Sequence, residues 1–252
     1  MLTTIIISCF VLTITGLPVN INPELNGGGF EGDILFPPNS DTSRGAAFYG
    51  NYRRWPNKII PYDISAITTN DRTTIINAMN QLMYDVGTPI PGNLARQVCV
   101  FFRPAEATDK EVLKILYGNG CSASIGYSTN YQKTLNLQQS GCFHNGIIQH
   151  ELAHVLGFFH EQSRPDRDSF ITVNHANISP GQIHNFEKHA WGVDVEYQDT
   201  SYDYGSLMHY DRNSFSINGK PTITPIQNNV VIGQREKLSS TDILEVRRYY
   251  GC

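Results

Sequence analysis

Three histidines and a glutamate within eleven residues have types and a spacing that could do chemistry. The run from His150 to His160 reads HELAHVLGFFH, with Glu151 directly after the first histidine. His150 and His154 are four residues apart, so on a helix they share one face. Gly157 can end that helix at positive φ and turn His160 back towards the pair. Three imidazoles suit Zn²⁺, and three protein ligands leave the fourth position open, as in catalytic sites.

Glu151 has a different role from the ligands in this interpretation. A carboxylate beside a water on the metal can take its proton during attack on a carbonyl, then pass the proton to the leaving amine. A lone HExxH can arise by chance, but the longer form with Gly157 and a third histidine is much more specific. That form, followed by a methionine turn, is the metzincin signature.

A second motif, SLMHY, spans Ser206 to Tyr210, about fifty residues after the histidines. We predict that Met208 forms an apolar floor beneath the histidines, because a thioether packs well against rings. Tyr210 can direct its phenol to the metal, either as a ligand or as a donor to an oxyanion. Taken alone, Met208 would be ordinary core and Tyr210 a surface aromatic residue.

The composition limits the class of protein. The chain has 252 residues, of which 40% are hydrophobic and 17% charged, with a net charge of −4. These values exclude a disordered chain and a coiled coil. No basic excess is present to drive nucleic-acid binding. A chain of this length can build a full core.

The N-terminal residues Met1–Gly16 form an uncharged, largely apolar stretch that is too short to span a bilayer comfortably. We interpret it as a secretory signal peptide, with a buried N-terminal strand as the alternative. No other stretch reaches transmembrane length, so we expect a secreted, extracellular protein without a membrane anchor. Cys9 would leave with this peptide, and the four remaining cysteines would suffice for two disulfides.

The elements that must position these residues are predicted from periodicity and turn signals. Helices are predicted over Ile75–Val86 and Ile147–Leu156, and after Ser239, with Asp242 in the cap. Strands are predicted over Lys58–Ile64, Val98–Arg103, Leu113–Tyr117 and Ser124–Tyr127. The region Pro165–Tyr210 is mostly irregular. The pattern favours an α+β fold with a mixed sheet, helices and a loop-rich second half.

The run HELAHVLGFFHEQSRPDRD, the SLMHY motif and the segment RRWPNKIIPY resemble the astacin family of secreted zinc endopeptidases. The resemblance covers about Gly45–Cys252. It implies a metzincin-like, two-lobed domain with one zinc ion in a cleft between an upper lobe of sheet and helices and a loop-rich lower lobe. On the family pattern, the zinc ligands are His150, His154 and His160, the general base is Glu151, and Tyr210 leaves the metal to stabilise the transition state.

The resemblance also implies that the chain is made as a latent zymogen. Residues Phe30–Ile34, FEGDI, match a pro-peptide motif in which Asp33 caps the zinc. The Pro- and Gly-rich segment Leu17–Arg44 would be the pro-peptide, and an activating protease would cut near Arg44. Glu161 would then meet the new α-amino group. Without the resemblance, Leu17–Arg44 would be interpreted as a flexible linker.

Further expectations follow from the resemblance alone. It implies the disulfides Cys99–Cys252 and Cys121–Cys142, and an edge strand at Cys121–Gly126 that pairs with an extended substrate. Arg235 matches an arginine that, in some relatives, favours Asp or Glu after the cut; the alternative is a surface arginine. Four further histidines are not needed as ligands and are interpreted as structural or surface residues: His175, His184, His189 and His209.

Two other functions compete with a monomeric endopeptidase that acts on extended proteins or peptides. One is a binding protein that keeps the fold without activity, which no residue favours because all the catalytic residues are present. The other is a zinc enzyme acting on non-peptide esters or amides. The physiological substrate stays open.

Overall fold

A computed structural model describes residues 22–37 and 54–252. The predicted signal peptide with Cys9, the cut at Arg44 and the domain start at Gly45 lie outside the described residues. None of the helices in the described ranges combines the length and the apolar character that a membrane span requires.

The main sheet of the described residues is mixed and six-stranded, in the order β1-β7-β8-β6-β2-β5. Its neighbours pair in parallel except β7 and β8, which are antiparallel. Two small antiparallel pairs, β3–β4 and β9–β10, lie outside it. The strands are β1 Ile34–Leu35, β2 Ile59–Asp63, β3 Thr88–Pro89, β4 Arg96–Gln97, β5 Phe101–Pro104, β6 Leu113–Tyr117, β7 Cys121–Ser124, β8 Lys133–Leu137, β9 Ile171–Val173 and β10 Ile223–Pro225.

Residues 22–37 and 54–252 contain three α-helices, which share the main core with this sheet: α1 Thr69–Val86, α2 Asn145–Leu156 and α3 Ser240–Tyr250. Apolar residues of α1 at helical spacing, including Ile75, Met79 and Leu82, are buried in the main core. Burial of such side chains stabilises the fold by roughly 1.5–3 kcal/mol each. Nearly every residue of α2 is buried, so this helix runs through the interior rather than along the surface.

A second, smaller core lies in the second half of the chain, where regular structure is sparse. It contains Ile171, Phe186, Tyr202, Tyr210 and Ile223. The final helix α3 returns to the first core through Val246 and Tyr249. The expected α+β fold, with a mixed sheet and helices beside a loop-rich lobe, is confirmed.

Two strand predictions differ from the structure. The predicted strand Ser124–Tyr127 is wrong, because the strand ends at Ser124 and Gly126 has a left-handed φ of 57°. The strand β8 was not predicted, since Lys133 occupies an inward position where an apolar residue is expected. Its ammonium group is buried against Glu111 and donates to the Tyr131 carbonyl.

The part of the chain that the structure describes contains two disulfides. Cys121, the first residue of β7, is bonded to Cys142, which lies three residues before α2. Cys99 is bonded to Cys252, so the end of the chain is tied close to β5. The first bond closes a loop of 21 residues, which the chain-entropy model values at about 3 kcal/mol.

Candidate metal centre

Helix α2 and the turn that ends it present the three histidines. The helix stops at Leu156, and Gly157 follows with a φ of 109°, which favours glycine. This turn brings His160 back beside the helix, as the sequence predicted. The same turn aims the Phe158 carbonyl at His154, which donates to it from Nδ1 at 2.7 Å.

The three imidazole rings converge through their Nε2 atoms. Nε2 of His150 lies 3.2 Å from Nε2 of His154 and 3.3 Å from Nε2 of His160. Zn–N bonds of about 2.0–2.1 Å at tetrahedral angles place two ligand nitrogens about 3.3–3.4 Å apart. The observed separations therefore fit one zinc ion held by all three rings.

Each ring is oriented by an acceptor on its other nitrogen. His150 Nδ1 donates to the Leu207 carbonyl at 2.9 Å, and His160 Nδ1 donates to the Glu31 carboxylate at 2.7 Å. With the bond from His154 to Phe158, all three Nδ1 atoms carry protons. The Nε2 lone pairs are therefore free for a metal, which is how metal-binding histidines are commonly held.

Asp33 covers the open side of the three rings. Its Oδ2 lies 3.2 Å from His150 Nε2, and its Oδ1 lies 3.4 Å from both His154 Nε2 and His160 Nε2. The Oδ1 atom is buried and has no hydrogen-bond partner among the described residues. A buried anion without a donor is costly, so this atom has the position of a fourth metal ligand. Three imidazoles and one carboxylate are a donor set that suits zinc.

Glu31, two residues before Asp33, was not identified from the sequence as a site residue. Its side chain is fully buried and accepts from His160 Nδ1 and from Ser163 Oγ at 2.5 Å. Burial alone would raise the pKa of Glu31, but hydrogen bonds from His160 and His189 outweigh it and lower the pKa to about 2. The FEGD motif was the available signal, but only contacts between distant segments reveal this role.

Glu151 is fully buried beside this cluster, and neither of its carboxylate oxygens has a hydrogen-bond partner among the described residues. One carboxylate oxygen lies within 4.8 Å of a His150 ring nitrogen and of a Glu24 carboxylate oxygen. Burial raises the pKa of Glu151 well above its usual value, and the charges of Asp33 and Glu24 raise it further. A carboxyl group in this state can accept and return a proton.

Tyr210 lies against the third histidine, with 4.7 Å between the ring centroids of Tyr210 and His160. Its hydroxyl donates to the Glu31 carbonyl at 2.5 Å, and Gln162 accepts from its backbone N–H. Burial, followed by the charges of Glu31 and Asp33, raises the pKa of the Tyr210 phenol well above its usual value. The phenol therefore stays protonated and serves as a donor.

The turn containing Met208 is fixed from both sides. Asp242 of α3 accepts from Ser206 Oγ at 2.6 Å and from the Leu207 backbone N–H at 2.9 Å, while it also completes the capping box of α3. The Met208 carbonyl accepts from the Glu161 N–H. From the sequence Asp242 was only a helix cap, so its contact with this turn was missed.

Arg235 is largely buried rather than on the surface. Its NH1 donates to the carbonyls of Leu207, His209 and Gln234 at 2.9–3.0 Å. Its Nε faces Glu24, at 2.7 and 2.9 Å from the two carboxylate oxygens. Burial would raise the pKa of Glu24, but Arg235 and then His150 lower it. Because Leu207 also accepts from His150, Arg235 shares an acceptor with a metal-binding ring.

Glu161 lies apart from the metal cluster. It is 7% exposed, accepts from the Asp203 N–H at 2.7 Å and lines a cavity with Arg164, Trp191 and Glu245. Burial raises the pKa of Glu161 well above its usual value. Among the remaining histidines, His175 and His184 are exposed, whereas His189 and His209 are buried and do not belong to the three-histidine cluster.

Comparison with known proteins matches residues 48–251 to the model of the astacin family of peptidases. The chain is 36% identical over 231 residues to the low choriolytic enzyme of Oryzias latipes, covering 88% of this chain and 78% of that protein. It is 37% identical over 202 residues to the zinc metalloproteinase nas-13 of Caenorhabditis elegans, covering 80% of this chain. It spans 32% to 42% of the length of nas-13, nas-14 and nas-15.

Among solved structures, the fold is similar to high choriolytic enzyme 1 from Oryzias latipes, described as a hatching enzyme zinc-protease. The TM-score is 0.67 at 37% identity, covering 80% of this chain and 94% of that one. The family match covers most of the chain and includes the three-histidine cluster. The chain therefore belongs to the astacin family of peptidases, and its matched region is a zinc metallopeptidase domain.

Proposed function

We propose that the protein is a secreted zinc endopeptidase made as a latent zymogen, in which Asp33 caps the metal until the front segment is removed. We define the front segment as residues 22–37. The proposal rests on two features that occur side by side. The Nε2 atoms of three histidines converge, and the buried Glu151 carboxylate beside them has no hydrogen-bond partner among the described residues. Residues 1–16 support secretion as a signal peptide.

Zinc bound at the three histidines supplies Lewis acidity, which polarises a carbonyl and makes a water more acidic. Glu151 takes the proton from the attacking water and delivers it to the leaving nitrogen. The Tyr210 hydroxyl, released from the Glu31 carbonyl when the front segment leaves, donates to the oxyanion that develops on the scissile carbonyl. The carbonyls of Leu207 and Phe158 hold the rings of His150 and His154 in place throughout.

The substrate is proposed to bind as an added strand on β7. In this structure the front segment occupies that edge, where Ala123 N–H donates to Asp33 O and Ile125 N–H donates to Leu35 O. Removing the front segment leaves two backbone donors for an extended peptide, which is the recognition mode of β-strand addition. This arrangement supports peptides over small esters as substrates.

Activation is proposed to follow a cut by another protease near Arg44. The new α-amino group would enter the cavity lined by Glu161, Arg164 and Glu245. Glu161 is suited to receive a cation, because a buried carboxylate is stabilised by a charged partner. In the proposed latent form, the front segment contacts the three histidines. In the proposed active form, that segment is gone and the new α-amino group contacts Glu161.

A direct test uses the full chain before and after cleavage at Arg44. We expect casein hydrolysis only after the cut, abolished by a zinc chelator and recovered when zinc is added back. Hydrolysis that persists in chelator would contradict a metal mechanism. A cut, zinc-loaded protein that cleaves esters but not casein would favour the non-peptide alternative, and one that cleaves neither would favour a binding protein.

Arg235 is proposed to favour Asp or Glu in the residue after the cut, since its Nε faces a carboxylate beside the metal position. In the activated Arg235→Gln enzyme we expect the ratio of cleavage before Asp to cleavage before Ala to fall about tenfold or more. A peptide library gives both rates within one variant, so a general loss of activity cancels. An unchanged ratio would remove Arg235 from specificity.

A further inference from the structure

The front segment contacts the domain at a second point, ten residues before Ile34, the first residue of β1. Glu24 lies in a short 3-10 helix, Pro23–Asn26, and is 2% exposed. Both of its carboxylate oxygens contact Arg235 Nε, at 2.7 and 2.9 Å. Within the described ranges, the only other side chain that donates to this carboxylate is its neighbour Asn22, at 3.4 Å. The ion pair therefore joins the front segment to the domain.

Arg235 is built to receive one carboxylate at this position. Its NH1 is committed to three backbone carbonyls, which fix the guanidinium plane. The Nε edge of the guanidinium is left free to face Glu24. A carboxylate oxygen of Glu24 also lies within 4.8 Å of a His150 ring nitrogen and of a Glu151 carboxylate oxygen. A cation anchored in this way, next to the reacting groups, is a subsite for a carboxylate.

The short helix carrying Glu24 is closely fitted to the domain. Gly27 ends it, and a Cβ at Gly27 would lie 2.1 Å from the Cys121 carbonyl oxygen of β7. Only glycine allows this approach. Asn22 caps the helix by accepting from the Glu24 N–H at 3.0 Å. The backbone around Glu24 is therefore held in a shape that directs the carboxylate at Arg235.

We propose that Glu24 is a built-in substrate mimic, whose carboxylate fills the position beside Arg235 that an acidic substrate side chain takes in the active enzyme. This inference rests on the proposed peptidase function. The front segment then holds the cleft at two separate points, the metal position through Asp33 and the acid-binding subsite through Glu24. Any substrate with an acidic residue there must compete with Glu24 as well as with Asp33.

The first test is hydrogen–deuterium exchange of the full chain, kept uncut by Arg44→Ala and kept metal-free with a chelator. Without metal, Asp33 makes no bond to zinc. The ion pair between Glu24 and Arg235 therefore contributes a larger share of the free energy that keeps the front segment bound to the domain. In Glu24→Gln, which keeps the side-chain volume, we expect amides of residues 22–37 to exchange about tenfold faster or more. Exchange in α1 should not change, which reports that the domain is folded.

The matched control is Glu236→Gln, which neutralises an exposed carboxylate next to Arg235 in sequence. We expect its exchange to equal that of the parent chain. Equal exchange in Glu24→Gln and Glu236→Gln would overturn the proposal, whatever the protein hydrolyses. Glu24→Asp, which keeps the charge on a shorter side chain, should fall between Glu24→Gln and the parent.

The second test asks whether Glu24 and substrates use one subsite. Arg235→Gln should both speed exchange of residues 22–37 in the uncut chain and lower the preference for Asp in the activated enzyme. Loss of the preference without faster exchange would overturn the mimic and leave the peptidase standing. Faster exchange in the variant together with an activated parent chain that cleaves no peptide would overturn the peptidase function and the mimic with it, while the ion pair would stand.

Discussion

Replacing Glu151 with glutamine is expected to lower kcat for peptide hydrolysis by the activated enzyme by about 10²- to 10⁴-fold. Glutamine keeps the size of the side chain but cannot take a proton from water. The Glu151 carboxylate has no hydrogen-bond partner among the described residues, so the change breaks no hydrogen bond there. The measurement is hydrolysis of a fluorogenic peptide under saturating conditions, together with the zinc content of each protein.

The zinc content separates catalysis from metal loss. Because the three Nε2 atoms that converge on the metal position belong to histidines, Glu151→Gln should retain one zinc per chain. Glu236→Gln again serves as the control, with parental activity expected. If Glu151→Gln kept full activity with zinc bound, the assignment of Glu151 as the general base would be wrong.

Replacing Asp33 with asparagine is expected to give the uncut full chain peptidase activity that its parent lacks. Asparagine keeps the shape but removes the charge that faces the metal, and breaking a buried charge pair costs about 2–5 kcal/mol. That cost shifts the balance between the closed and open front segment about 30-fold or more. Both proteins carry Arg44→Ala, so that no cut at this position can cause the activity.

The matched control for this variant is Asp199→Asn. The Asp199 side chain is 86% exposed and lies far along the chain from the front segment, so its neutralisation should leave the uncut protein as inactive as the parent. Zinc content is measured again, since the three histidines remain in both variants. An uncut Asp33→Asn chain that binds zinc but shows no peptidase activity would refute latency through Asp33.

The convergence of the three histidines was predictable because their geometry is local. Four residues of separation place His150 and His154 on one helix face, and Gly157 explains how His160 joins them. Glu24 and Arg235 are 211 residues apart in sequence, and no periodicity connects such a pair. Their contact depends on how the front segment packs on the rest of the domain, which only the folded chain shows.

The sheet gives a similar lesson. Leu113–Tyr117 was predicted with correct bounds because its apolar positions are conspicuous, whereas β8 was missed because Lys133 points inward. Lys133 can be buried because Glu111 neutralises its ammonium group and the Tyr131 carbonyl accepts a hydrogen bond from it. A pattern of apolar and polar residues cannot show that such partners exist.

The double role of Asp242 has a consequence for the order of assembly during synthesis. The methionine turn donates hydrogen bonds to Asp242 of α3, which lies 36 residues after Ser206 and 35 residues after Leu207. Chains emerge from the ribosome from the N-terminus onwards, so the turn stays unsupported until α3 has been made. The front segment, by contrast, emerges before any of the three histidines. On the proposed latency, a nascent chain thus has the inhibiting front segment exposed well before its metal centre can be completed, so no stage of synthesis leaves that centre uninhibited.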